Sequence, residues 1–345
     1  MAYTTIDDPT SFFNTVLYTG NATDDRTVTG VGFQPDWSWL KDRTNGNHHR
    51  LYDSVRGATK VIYSSLTNAE GTASDGLKSF DSDGFTLGTG SDENGNSANF
   101  VSWNWLAGGS ASSNSDGSIT SSVSANTTAG FSIVSYAGNS TAGATVGHGL
   151  GSAPTWILGK NRTDADTWFM YHGSLGGGFS MGLNNTNAKD SNTAFWNSTA
   201  PSSTVFTLGN NTDANETGKN FIAYCFAEIK GYSKFGSYTG NGNTDGTFVY
   251  TGFKPAWVMY KRSSSSGNDW VIVDNKRDPI NVCNEELYAN LNSAKGDVDL
   301  LDFTSNGFKC RRTHNSQNGS GSTYIYLAFA ESPFVNSNGI PNNAR

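Results

Sequence analysis

The chain has 345 residues, of which 15% are charged and 12% aromatic, and its formal net charge is -7. An acidic balance without clustered Lys and Arg argues against a nucleic-acid partner, because neutralising phosphates needs a basic patch. Abundant Trp, Tyr and Phe exclude a disordered chain, and no run of about 18 apolar residues offers a membrane span.

In chain order, residues 1–10 have neither a basic n-region nor an apolar h-region, so no cleavable secretion signal is expected there. Tyr18, Gly20 and Asn21 then open a pattern that continues through Gly32, Phe33, Pro35, Trp37, Lys41 and Arg43 and closes on the aromatic run 100–105. The pattern returns at Tyr136, Gly138, Asn139, Pro154, Trp156, Lys160 and Arg162, closing on 221–226. It returns again at Tyr238, Gly240, Asn241, Pro255, Trp257, Lys261 and Arg262, closing on 324–329. The copies lie roughly 100 to 120 residues apart, too long for a solenoid or propeller repeat and the size of a small domain.

The closing runs carry the strand signal. Alternate positions read Val101, Trp103, Trp105, then Ile222, Tyr224, Phe226, then Ile325, Leu327, Phe329, all large and apolar, while the opposite positions are mixed. A period of two with one apolar face marks a strand in a half-buried antiparallel sheet. Asn-Gly and Asp-Gly pairs, suited to tight hairpins, punctuate the intervals. The fold class expected is all-β, as three tandem antiparallel β-sandwich repeats spanning 1–107, 130–231 and 232–331. The stretch 108–129, rich in Gly, Ser, Asn and Thr, reads as a linker, and 332–345 as a polar tail. Short helices are expected only at 284–293 and 53–63. Trp37, Trp156 and Trp257 read as core, and Lys41, Lys160 and Lys261 as buried stems with their heads at the rim.

The chemistry-bearing residues form few patterns. Cys225, Cys283 and Cys310 fit neither a disulfide framework nor a metal knuckle, the five histidines make no metal triad, and no cofactor is expected. Asp81 and Asp83 are weak calcium candidates that lack a distal bidentate Glu, and a structural turn explains them better. Asp164 with Asp166, and Asp297 with Asp299 and Asp302, read as turn carboxylates rather than a glycosidase pair. One theme recurs in every copy: Arg43, Tyr52, Asp53 and Arg56; Arg162 and Trp168; Arg262, Trp270, Asp274 and Arg277. These residues suit a structural ion-pair network. Alternatively they suit stacking and bidentate hydrogen bonding to a saccharide.

The segments at 13–21, 31–37, 52–57 (Tyr-Asp-Ser-Val-Arg-Gly) and 80–88 (Phe-Asp-Ser-Asp-Gly-Phe-Thr-Leu-Gly) resemble a family of virion structural proteins of marine tailed bacteriophages. The resemblance spans nearly the whole chain and implies repeated jelly-roll or concanavalin-like sandwiches with no catalytic residue to carry over. The second copy departs from it, with His148-Gly149-Leu150 in place of Gly-Phe. The expectation is a non-enzymatic virion protein made in the host cytoplasm, a tail fibre or adhesin that contacts host-surface glycans. It would be homo-oligomeric and bound to other virion proteins. A capsid-decoration or tail-assembly role is the alternative, and a glycan depolymerase the third reading.

Overall fold

The computed structural model describes residues 3–342 and is all-β, with 42% of residues in strands and 4% in helices. The expectations for 1–10 and 332–345 therefore fall partly outside the described residues, at 1–2 and 343–345. Three inner sheets carry the same antiparallel strand order: opening, closing, Trp-bearing, return. In the first segment these are Phe13–Thr19, Asn99–Trp105, Trp37–Asp42 and Arg50–Asp53. In the second they are Phe131–Ala137, Asn220–Phe226, Trp156–Asn161 and Phe169–His172. In the third they are Ser233–Thr239, Thr323–Pro333, Phe253–Arg262 and Val271–Asp274. Register is also shared, since Trp37, Trp156 and Trp257 sit opposite Trp105, Phe226 and Phe329.

The Tyr-x-Gly-Asn motif has a physical origin that is the same three times. Tyr18, Tyr136 and Tyr238 donate their hydroxyls, each at 2.8 Å, to the carbonyls of Glu93, Ala214 and Gln317. The next residue in each case, Asn94, Asn215 or Asn318, is fully buried. Its Oδ1 accepts the backbone N–H of Asn21, Asn139 or Asn241. Glycine is required between them: a Cβ at Gly20, Gly138 or Gly240 would lie 2.0 to 2.4 Å from a backbone oxygen of the facing loop.

The two faces of each inner sheet go to different places. Outer faces pack on short strands to make three separate cores, around Val28 and Phe85, Val146 and Phe206, and Val249 and Phe308. Inner faces all join a single cluster that includes Trp37, Trp103, Trp105, Trp156, Tyr224, Phe226, Trp257, Leu327 and Phe329. At its centre the rings of Trp105, Phe226 and Phe329 meet one another, with centroids 5.6 to 6.5 Å apart. Burying an aromatic side chain contributes roughly 1.5 to 3 kcal/mol, so the largest apolar reserve of each segment is realised only against the other two.

That arrangement puts the inner apolar face of every segment into one shared core. Alternation along a strand shows which face is apolar but not whose core it joins. The expected linker is also ordered: Ser112–Asn114 and Ser121–Asn126 extend the second inner sheet. Two of its serines are buried, Ser121 Oγ donating to the Gly147 carbonyl (2.8 Å) and Ser124 Oγ accepting from Gly108 N (3.0 Å). Neither expected helix forms. Residues 284–293 contribute to the strand Cys283–Tyr288, and 53–63 make a turn followed by Lys60–Val61. The helices present are single turns such as Ser91–Asn94, Thr193–Trp196 and Thr212–Asn215.

Candidate functional site

Most of the recurrent charged and aromatic residues lie in the seams between segments, whereas Tyr52 sits in the outer core of the first segment. Asp53 and Arg56 pair at 2.5 Å with both side chains fully buried, and Tyr224 of the second segment donates its hydroxyl to Asp53 at 2.7 Å. Asp274 and Arg277 pair identically at 2.6 Å, and there the donor is the Trp103 indole of the first segment, at 3.0 Å. Tyr224 and Trp103 occupy the same place on their closing strands. The third seam faces Leu327, which has no donor, and there the Asp position is His172, whose Nε2 bonds the Tyr326 carbonyl at 3.3 Å while Nδ1 accepts from Ser174 N. Burial holds this imidazole down at about 4.

The remaining residues of the theme follow the same ring. The Trp168 indole donates to the Tyr63 carbonyl (2.8 Å) and the Trp270 indole to that of Gly182 (2.9 Å), each reaching into the preceding segment. Arg43 binds Glu285 (2.6 Å) and Arg162 grips Glu70 through two nitrogens. Arg262 is half-buried without a carboxylate partner among the described residues. Tyr52 is buried and donates to Glu93, which also receives Arg50. Asp53, Arg56, Asp274 and Arg277 thus bond within the protein with no side-chain surface open to a saccharide, and Trp270 is fully buried as well.

The lysines depart from expectation too. Their heads are buried at the seams rather than set at the rim. Lys41 Nζ bonds the carbonyls of Asp42, Asn47 and Asn292, Lys160 those of Thr67 and Asn161, and Lys261 those of Thr186 and Asn187. Burial lowers all three to about 8. Asp81 and Asp83 are engaged in turn hydrogen bonds, Asp81 from Ser79 and Thr86 and Asp83 from Gly30 and Gly32.

Several clefts are open to solvent, among them one in the third segment and one in the second. The larger, about 530 Å³, lies in the third segment, and its polar wall is largely satisfied internally. Lys254 and Asn275 both bind Glu331, Asp278 accepts two backbone N–H groups, and Asn281 exchanges hydrogen bonds with the Phe303 backbone. The other, about 280 Å³, lies in the second segment beside the single-turn helices Thr193–Trp196 and Thr212–Asn215. There the Asp213 carboxylate has no hydrogen-bond or ion-pair partner among the described residues, and burial together with the Asp166 charge raises its pKa against the pull of Lys160. Nothing in the sequence pattern singles out Asp213. The only signal is its offset of two residues before the repeated Asn215, the place held in the first copy by Asp92 before Asn94.

The profile of DUF7483, described as a domain of unknown function, matches residues 8–333. The chain belongs to the DUF7483 family. No curated protein and no solved structure matches it. One family profile covers all three segments.

Proposed function

We propose that this DUF7483 chain is a non-enzymatic structural protein of a tailed-phage virion, a rigid body of three jelly-roll or concanavalin-like repeats that contacts host-surface saccharides. The observation that carries the reading is the closed ring of seams. Charged and aromatic side chains repeated through the chain bond one segment to the next, Arg56 and Asp53 to Tyr224 and Arg277 and Asp274 to Trp103. Such buried networks fix one relative placement of the parts, which suits a load-transmitting or displaying body. Resemblance of the 52–57 and 80–88 segments to virion structural proteins supplies the setting, including assembly with copies of itself and other virion proteins.

The test has two arms. Antibody raised to the purified chain should decorate intact virions, and the purified chain should bind host envelope fractions. An absence of label on virions would remove the virion reading.

A second reading, capsid decoration or tail assembly, is favoured by one surface. Phe248 and Tyr250 on the edge strand Phe248–Tyr250 are 47% and 55% exposed, where the first segment has Thr27 and Thr29. Aromatic residues on an unpaired edge suit a protein contact. Tight binding to capsids or tails, with none to envelopes, would select it.

A further inference from the structure

We infer that the cleft of the second segment is a binding site for a neutral saccharide. This inference rests on the proposed glycan-contacting role and names where and what the protein binds.

The first segment shows how this place is normally filled. There Arg50, on the return strand Arg50–Asp53, reaches Asp92 and Glu93 and closes the gap between sheet and single-turn helix. By register Phe169 replaces Arg50 in the second segment: Leu40 opposite Arg50 corresponds to Gly159 opposite Phe169. The phenylalanine turns inward because Gly159 makes room for it. A Cβ at Gly159 would lie 2.2 Å from the Phe169 ring, which packs at 5.6 Å from Trp196. The carboxylate is kept as Asp213 while its guanidinium is gone. In the third segment both are gone, with Val271 and Ser316 in these places.

The wall around Asp213 is suited to hydroxyl groups. Asn192 and Asn211 each spend Oδ1 on a helix N-cap, to Ala194 N and Asp213 N, and Asn185 spends its own on Asn187 N. Those bonds fix the amide orientation, which leaves the NH2 groups of three cleft-lining asparagines without a partner among the described residues. With Asp213 and Asp190 accepting, the cleft combines donors and acceptors at close range, and Phe195, half-buried at its edge, offers an apolar face. A sugar hydroxyl both donates and accepts, and sugar C–H faces pack on aromatic rings. No lysine or arginine lines the cleft beside the two carboxylates, although Lys160 acts on Asp213 electrostatically; such a wall disfavours sialic or uronic acids, which sets the class as neutral or N-acylated.

The experiment is a glycan array followed by titration calorimetry on the full chain and on Asp213→Ala, Asn185→Ala and, as a control in the other cleft, Lys254→Ala, each checked by circular dichroism. Expected are neutral glycans retained in preference to acidic ones, with affinity falling at least tenfold in Asp213→Ala and Asn185→Ala and unchanged in Lys254→Ala. Preference for acidic glycans, or neutral binding untouched by the two cleft variants, overturns the assignment while the glycan-contacting role survives. Wild-type protein that binds neither arrayed glycans nor host envelopes overturns both. Should Asp213→Ala lose its fold, Asp213→Asn provides the same comparison.

Discussion

Asp53 and Arg56 illustrate how a residue theme legible in sequence can be misplaced in space. The types and spacing were readable, and an ion-pair network was one of the two readings they allowed. Their seclusion was not readable, because the side chain that covers them, Tyr224, arrives from a segment over 150 positions away. A buried ion pair is weak evidence of net stabilisation, but breaking one leaves an uncompensated charge. Asp53→Asn should therefore lower unfolding free energy by about 3 to 5 kcal/mol, measured by urea denaturation, and Tyr224→Phe by about 1 to 2 kcal/mol. The double variant should cost less than the sum, since both changes remove one interaction. At the seam without such a pair, His172 predicts a pH effect. Its folded pKa, about 4, lies below the ordinary 6.5, so the unfolded chain takes the proton first. Its stabilisation is complete above about pH 6.5 and is lost as pH falls toward 4, by on the order of 2 to 3 kcal/mol. His172→Gln, which keeps a donor for Tyr326, should flatten that part of the stability profile relative to wild type. Parallel profiles for the two proteins would contradict the assignment.

Among the elements, the closing strands were the most readable and the loops before them the least. Period-two alternation is a local property, so Trp103, Tyr224 and Leu327 could be placed on one face from sequence. Asn94, Asn215 and Asn318 were overlooked because a polar residue in a Gly-rich loop looks like ordinary turn chemistry. Yet each stands six positions before its closing aromatic, Phe100, Phe221 or Tyr324, an offset that a comparison of the copies could have found. Residues 108–129 misled for a related reason: small side chains can mean freedom, or they can mean close packing against another strand. Asn215 ties three backbone groups together, accepting from Asn139 N (2.9 Å) and donating to Thr141 O (3.1 Å) and Gly209 O (2.7 Å). Asn215→Ala leaves these buried groups unpaired and should cost about 2 to 4 kcal/mol. Because the hub borders the cleft helix Thr212–Asn215, the same variant should also weaken saccharide binding. Full affinity in a destabilised Asn215→Ala protein would separate hub from site.

For the whole molecule, the shared core decides whether the segments are domains in the thermodynamic sense. A segment that carried its own core would survive excision and melt by itself. Here residues 130–231 cut from the chain would expose the inner faces of Trp156, Leu158, Ile222, Tyr224 and Phe226, all buried in the intact protein. They would also leave Lys160 without the Thr67 carbonyl and Trp168 without that of Tyr63. The outer core around Val146 and Phe206 would remain, enough for residual sheet but not for fixed packing of the inner face. The excised segment should accordingly bind a hydrophobic dye, lack near-ultraviolet dichroism and show no sharp melting transition. The full chain should unfold in one calorimetric transition whose van't Hoff and calorimetric enthalpies agree. Phe226→Ala, placed where three rings meet, should shift that transition by the equivalent of about 3 to 5 kcal/mol, without splitting it. Three resolved transitions in the full chain, or a cooperatively folded fragment, would show that the outer cores alone suffice and that the ring of seams joins domains rather than making one.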